Sequence, residues 1–169
     1  MHIGLLSDTH IPDDASELPR SIKHVFDGVD LILHAGDIYT SSVLDELSAI
    51  APVLAARGDD DCGEVLRDER VKWKHVLKLE NHTIWLIHEM PYPYPVASWR
   101  AGTLRVGSDY NVPDIVVFGH DHCTIVERHD RVLMVNPGSP TFLNYRCGPG
   151  TVALLDIMSS EAQVRIVEL

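Results

Sequence analysis

Basic residues are scarce in this chain: 14 Lys and Arg stand against 25 Asp and Glu, for a formal net charge of −11. That deficit argues against a nonspecific grip on nucleic acid or on an anionic membrane, both of which rely on basic patches. Cysteine is sparse as well. Cys62, Cys123 and Cys147 are odd in number and form no CxxC pair, so neither a disulfide framework nor a zinc-thiolate knuckle follows. The N-terminal MHIGLLSDTH reaches aspartate by residue 8, which suits neither a signal peptide nor a membrane span. The expectation is a soluble protein of a reducing compartment, most simply the cytoplasm. Internal repeats, low-complexity tracts and linker-like shifts are also missing. With 169 residues, 45% apolar and 23% charged, the chain reads as one globular domain over residues 1–169, large enough to bury a core without staples.

What is present is a recurring order of apolar run, polar loop and helix. Ile3–Leu6, Leu31–His34 and Val53–Ala56 read as short buried strands, and Ile115–Phe118 as a fourth. Helical spacing covers about Leu18–Phe26, with Pro19 in a first turn. The segment SSVLDELSAI reads as a helix capped by Ser41 or Ser42. KHVLKLENHTIWLIHE reads as a hairpin turning near Glu80–Asn81, TIVERHDRVLMV as one turning at His129–Asp130, and the tail as one turning at Ser159–Ser160. A further short helix is expected over 97–106, after the proline-rich MPYPYP. Early strand–helix alternation followed by hairpins predicts an α/β fold. Its two mixed β-sheets pack face to face as a sandwich flanked by helices, with ligands at the carboxyl ends of strands.

Those strand ends carry the chemistry. Asp8 and His10 follow the first strand, Asp37 the second, Asp59–Asp61 the third, and His120 and His122 the fourth; His88 ends IWLIH. An aspartate after a strand is ordinarily a turn former, and a charge run such as ARGDDDCG ordinarily faces water. Three adjacent carboxylates nonetheless repel one another unless something positive lies among them. The pairs D-x-H and H-x-H, taken as extended backbone, put both side chains on one side. Mixed carboxylate and imidazole groups suit manganese, iron, zinc or nickel better than calcium. One carboxylate has two oxygens and is able to bridge two ions, an arrangement that activates water and neutralises a phosphoryl group.

In this order, DTH, AGD, RGDDD, IH and GHDH, followed by NPGS, resemble the calcineurin-like metallophosphoesterases. The resemblance runs from Ile3 to about Thr141. It is strongest to the small single-domain phosphodiesterases and to the retromer subunit related to them. It implies a metal-dependent phosphoesterase acting on phosphodiesters through water activated between two divalent cations. Manganese is the first expectation, with iron, zinc, nickel or magnesium as alternatives. Asp8, His10 and His122 would hold one metal, Asp37 would bridge, and Asp59, His88 and His120 would hold the second. Asp37, Asp59, Asp60 and His120 are the residues expected to carry catalysis. Arg57 is the candidate partner of substrate phosphate, with Arg100 and Arg146 behind it; surface charge is the plainer reading of each.

The chain departs from the family at Asp59, where Asn is usual, and at Asp60, where His or Cys is usual and is credited with helping the leaving group. Glu89 likewise replaces a small residue after His88. The retromer subunit also has an acidic residue at the Asp59 position, and it serves mainly as a scaffold. A weakly catalytic or non-catalytic metal-binding scaffold that docks a protein partner is therefore the alternative. The partner expected otherwise is a phosphate-ester small molecule, with no membrane and with homo-oligomerisation open. His34 is expected to pack behind Asp37, and NPGS to supply turn geometry, with a contact behind the metals implied by the family.

Overall fold

The computed structural model describes residues 1–13, 15–90, 112–141 and 150–169. Its first sheet is built on three parallel strands in chain order, β1 (His2–Leu6), β2 (Leu31–His34) and β3 (Val53–Ala56), with the two-residue β4 (Val71–Lys72) beside β3. The C-terminal hairpin of β10 (Thr151–Met158) and β11 (Glu161–Glu168) adds antiparallel to the free side of β1, turning at Ser159–Ser160 as the sequence implies. The second sheet has the order β5 (His75–Leu79), β6 (His82–Leu86), β7 (Ile115–Val117), β9 (Val132–Pro137), β8 (Thr124–His129). Within it β6, β7 and β9 are mutually parallel, and β5 and β8 are antiparallel additions. The expected sandwich of two mixed sheets is therefore the observed one.

Side-chain alternation explains the layers. Ile3, Leu5 and Leu33 point inward from the first sheet and meet Ile84, Leu86, Ile115 and Val117 of the second. Leu6, Ile32 and Val53 point outward and are covered by Leu18, Ile22 and Phe26 around α1 (Ser21–Val25), and by Val43, Leu44 and Leu47 of α2 (Ser41–Ser48). Both faces of these strands are buried, so their sequences are continuous apolar runs instead of alternating ones. On the outer face of the second sheet, Trp85, Val116, Phe118 and Met134 form a further buried cluster. Each fully buried side chain of this size contributes on the order of 1.5–3 kcal/mol through burial.

Several local expectations need adjustment. α1 is shorter than the Leu18–Phe26 span, because its first bond runs from Ile22 N–H to the carbonyl of Pro19, and Leu18 packs as a loop residue. The residue capping α2 is Thr40, not Ser41 or Ser42; it is extended (φ −132°, ψ 141°), and its hydroxyl pairs with that of Ser42 at 2.8 Å. The β8–β9 turn falls on Asp130–Arg131, one residue later than read. The turn at Glu80–Asn81 stands, with φ of 48° and 69° supplying the left-handed pair that a type I′ hairpin requires. The helix expected over 97–106, the prolines of 91–95, Trp99, Arg100, Arg146 and Cys147 lie outside the described residues.

This topology positions the site. β1, β2, β3, β6 and β7 all run toward the same end of the sandwich, and the loops leaving them carry Asp8, Asp37, Asp59, His88 and His120.

Candidate metal centre

The loops that hold the centre are not extended. Asp8 (φ 56°) and His10 (45°), Asp37 (57°) and Tyr39 (74°), and His120 (72°) and His122 (53°) all lie in the left-handed region. D-x-H and H-x-H are therefore not the extended segments that their spacing predicts. Side chains i and i+2 converge because the chain coils tightly after each strand, at a cost on the order of 1 kcal/mol for each left-handed non-glycine residue. Glycines are needed where loops approach closely. A methyl group on Gly58 would fall on the Asp37 carboxylate, and one on Gly36 (φ 100°) would meet the His88 ring at 2.6 Å.

Two sets of donor atoms result. Asp8, His10, Asp37 and His122 place ligand atoms within 4.8 Å of one another, and Asp59, His88 and His120 do the same. Asp37 Oδ2 stands between the sets, 3.5 Å from His10 Nε2 and 3.4 Å from His88 Nε2. In the second set Asp59 Oδ1 is 2.8 Å from His88 Nε2 and 3.1 Å from His120 Nδ1. His122 Nε2 lies 3.5 Å from Asp8 Oδ1 in the first. The first set is nearly all buried; Asp59 and His120, with side chains 54% and 40% exposed, open the second to solvent. All seven residues expected to bind metal are thus brought together.

The frame behind them was only partly visible in the sequence. Asp61 lies outside both donor sets. Its buried carboxylate accepts the backbone N–H groups of Asp37 (3.2 Å), Ile38 (2.7 Å), Tyr39 (3.0 Å) and Gly58 (2.8 Å), clamping the Asp37 loop to the Asp59 loop. His88 Nδ1 donates to the carbonyl of Ala35 at 2.7 Å, which leaves Nε2 as the donor atom toward a cation. His34 is fully buried behind Asp37, as expected. It accepts Gly36 N–H at Nδ1 (3.1 Å) and donates from Nε2 to the Thr9 hydroxyl (3.2 Å), which in turn reaches the Asp37 carbonyl at 3.3 Å. Asn136 turns its own loop by accepting Gly138 N–H and donates to the carbonyl of Gly119. Ser139 and Thr141 donate to the carbonyls of Asp8 and Thr9 at 2.6 Å each, the support behind the centre that NPGS implied. Nothing in a run of three aspartates marks the third as the inward one. Tyr39 had a signal: D-x-Y repeats the spacing of D-x-H. Arg57, for its part, lies with its guanidinium 5.8 Å from the ring centre of Trp73, which is 74% exposed.

Known proteins share this sequence pattern and this fold. The family model described as the calcineurin-like phosphoesterase superfamily domain matches residues 1–160. The chain belongs to the calcineurin-like phosphoesterase superfamily. Among members of the superfamily, it is 36% identical over 142 residues to a probable metallophosphoesterase of Methanothermobacter thermautotrophicus, covering 83% of this chain and 78% of that one. It is 27% identical over 177 residues to a phosphodiesterase of Methanocaldococcus jannaschii, covering 99% and 100%. Its fold is also that of wild-type Vps29 from Entamoeba histolytica complexed with zinc, with a TM-score of 0.73 at 20% identity over 99% of both chains. No helix among the described residues is long and apolar enough to cross a membrane.

Electrostatics fit the cations that the superfamily implies. Burial pushes the Asp8 carboxyl up to about 7 against the opposing pull of the Ser7 hydroxyl and His88. Among the described residues, the ion pairs of Asp8 and Asp37 are all with histidines. Such a buried carboxyl gains its charge when a divalent cation takes the place beside it. Burial also opposes the charge on His88, but hydrogen bonding and charge from Asp37, with the charge of Asp8, lift it to about 9. Burial alone would raise Asp37; the hydrogen bond and charge of His88 instead hold it below the ordinary carboxylate range. Burial drives His34 down to about 3, consistent with the neutral ring its hydrogen bonds require.

A pH dependence follows for metal-stripped protein. His88 is raised from its ordinary 6.5 to about 9, so its stabilising contribution is complete below 6.5 and is lost as pH rises to about 9. Asp8 adds no slope above about 7. Denaturant melts are expected to show stability falling as pH rises from 7 to 9. Saturating zinc should abolish that slope, since the bound ring has already given up its proton. A flat profile without metal would contradict the paired state of His88.

Proposed function

We propose that this chain hydrolyses phosphodiesters at a centre of two divalent cations. The observation carrying this reading is the position of Asp37 Oδ2, within 3.5 Å of an imidazole nitrogen from each donor set, where a bridging carboxylate belongs. Asp8, His10 and His122 would hold one cation, Asp59, His88 and His120 the other, and Asp37 both. Cations bound there, manganese first among the candidates, supply Lewis acidity and a water of lowered pKa. The residues of the chain do the rest. The buried set fixes geometry, while Asp59 and His120 border the open side from which a phosphodiester arrives. Hydrolysis breaks one P–O ester bond, forms another to the water oxygen, and releases an alcohol and a phosphomonoester. Arg57, beside Asp59 in the chain, is the proposed partner of a non-bridging phosphoryl oxygen.

The test is hydrolysis of a bis-aryl phosphodiester by metal-stripped protein with and without manganese. Manganese-dependent turnover is expected; two bound cations without turnover on any phosphodiester would defeat the proposal. Asp59→Asn keeps Oδ1, the atom facing His88 and His120, but removes a charge. It is expected to weaken metal binding while metal-supported turnover persists or rises. Complete loss of turnover in folded, metal-loaded Asp59→Asn protein would refute that account of the carboxylate.

A second reading, a metal-binding scaffold that docks a protein partner, draws on one observation. Trp73 is 74% exposed, and Leu66 and Val76 near it in the chain are also exposed apolar side chains. Partner docking predicts that Trp73→Ala abolishes association and leaves metal content unchanged.

A further inference from the structure

We propose that Asp60, through the phenol of Tyr39, fixes the proton of His10 on Nδ1 and so presents Nε2 to the first cation. The inference rests on the two-cation reading above. It gives the residue that departs most from the family a positioning role in place of leaving-group chemistry.

His10 Nδ1 lies 2.9 Å from the Tyr39 hydroxyl, with the two rings 4.8 Å apart, and that hydroxyl reaches Asp60 Oδ2 at 3.4 Å. A phenol has one hydrogen to give. Donated to His10, it makes Nδ1 an acceptor, places the ring proton on Nε2 and removes the lone pair that ligation needs. Donated to Asp60, it leaves the phenol oxygen to accept from Nδ1–H, and Nε2 keeps its lone pair beside Asp37 Oδ2, 3.5 Å away. A carboxylate only accepts, so Asp60 selects the second arrangement. His88 needs no such device, because its Nδ1 meets a backbone carbonyl, which also only accepts. A phenol beside His10 is ambiguous until a third group decides its direction.

The parts are held in a closed frame. Tyr39 is pinned in a left-handed conformation by its N–H bond to Asp61 Oδ1 at 3.0 Å. Asp60 is pinned by its own N–H bond to Asp37 Oδ1 at 3.1 Å. Hydrogen bonds therefore run from Asp37 to Asp60, Tyr39 and His10, and His10 Nε2 faces Asp37 again.

The test is a double-mutant cycle on zinc binding, read by competition with a chromophoric chelator and independent of turnover. Tyr39→Phe and Asp60→Ala are each expected to weaken one of the two zinc steps by roughly 10- to 100-fold, the usual effect of losing a group that orients a ligand histidine. The double variant should bind zinc no more weakly than Tyr39→Phe alone, because Asp60 acts through the phenol. Asp60→Glu should recover most of the loss. If Asp60→Ala costs the same factor with and without the phenol, Asp60 acts as a bare charge and the proposal is overturned. Unchanged zinc affinity in Tyr39→Phe overturns it as well. Should Asp60→Ala prove unfolded by circular dichroism, Asp60→Asn keeps the volume and must show a smaller loss in the same direction. Wild-type protein that binds no zinc would overturn both this inference and the reading beneath it. Two bound zinc ions with no effect of either variant would overturn this inference alone.

Discussion

Asp37→Ala is expected to bind at most one cation per chain and to lose phosphodiester turnover by more than about 100-fold. Losing a group that merely orients a ligand costs 10- to 100-fold in affinity or activity, and among the described residues it is Asp37 whose carboxylate oxygen faces both donor sets. The substitution also removes the acceptor of the Asp60 N–H and the carboxylate that lifts His88. Metal content after gel filtration and turnover on a bis-aryl phosphodiester measure the two effects. The stability decline between pH 7 and 9 in stripped protein should shrink in the same variant, since His88 then lacks its main source of charge stabilisation. A variant that retains two cations would show that Asp37 does not bridge.

Asp61→Ala should have the largest effect on folding of any single substitution at the centre. It leaves four backbone N–H groups, those of Asp37, Ile38, Tyr39 and Gly58, without their buried acceptor. Hydrogen bonds to a charged group contribute about 1.5–3 kcal/mol each, but bonds sharing one carboxylate are not additive, so a total of about 3–5 kcal/mol is expected. That is a large fraction of the stability of an ordinary domain. Denaturant unfolding should show a lower midpoint at unchanged slope for the fraction that folds. Asp61→Asn keeps one accepting oxygen and should fall between. If Asp61→Ala melts like the wild type, the loops are held by something other than this clamp.

The two aspartates illustrate what the sequence revealed and what it concealed. β2 and β3 were legible to the residue because strands buried on both faces announce themselves as apolar runs bounded by polar loops. The motifs after β1, β2, β3, β6 and β7 contain all seven residues of the two donor sets, since ligand chemistry restricts residue type more tightly than packing does. β4 and the 3₁₀ turn at Val65–Arg67 went unread because two or three residues carry no period. The backbone of the site was misread for a related reason. The alternation in D-x-H and H-x-H imitates strand periodicity, whereas the left-handed loops produce it by coiling. The role of Asp61 was hidden by identity: three aspartates in a row look alike until the fold turns one inward. Asp60 and Tyr39 touch across 21 positions of chain, a distance over which a single sequence shows no pairing.

The left-handed residues have a consequence for selection. Tyr39 and His122 each keep a side chain in a left-handed conformation that glycine adopts at little cost, and both rings make contact with His10 at the centre. Glycine at either position should raise the melting temperature of the metal-free protein slightly while emptying part of the centre. Mutational drift, or laboratory enrichment for thermostability alone, would therefore erode these loops first and leave the sandwich intact. Side chains at these two positions would thus answer a demand of the centre that is separate from the demand to fold.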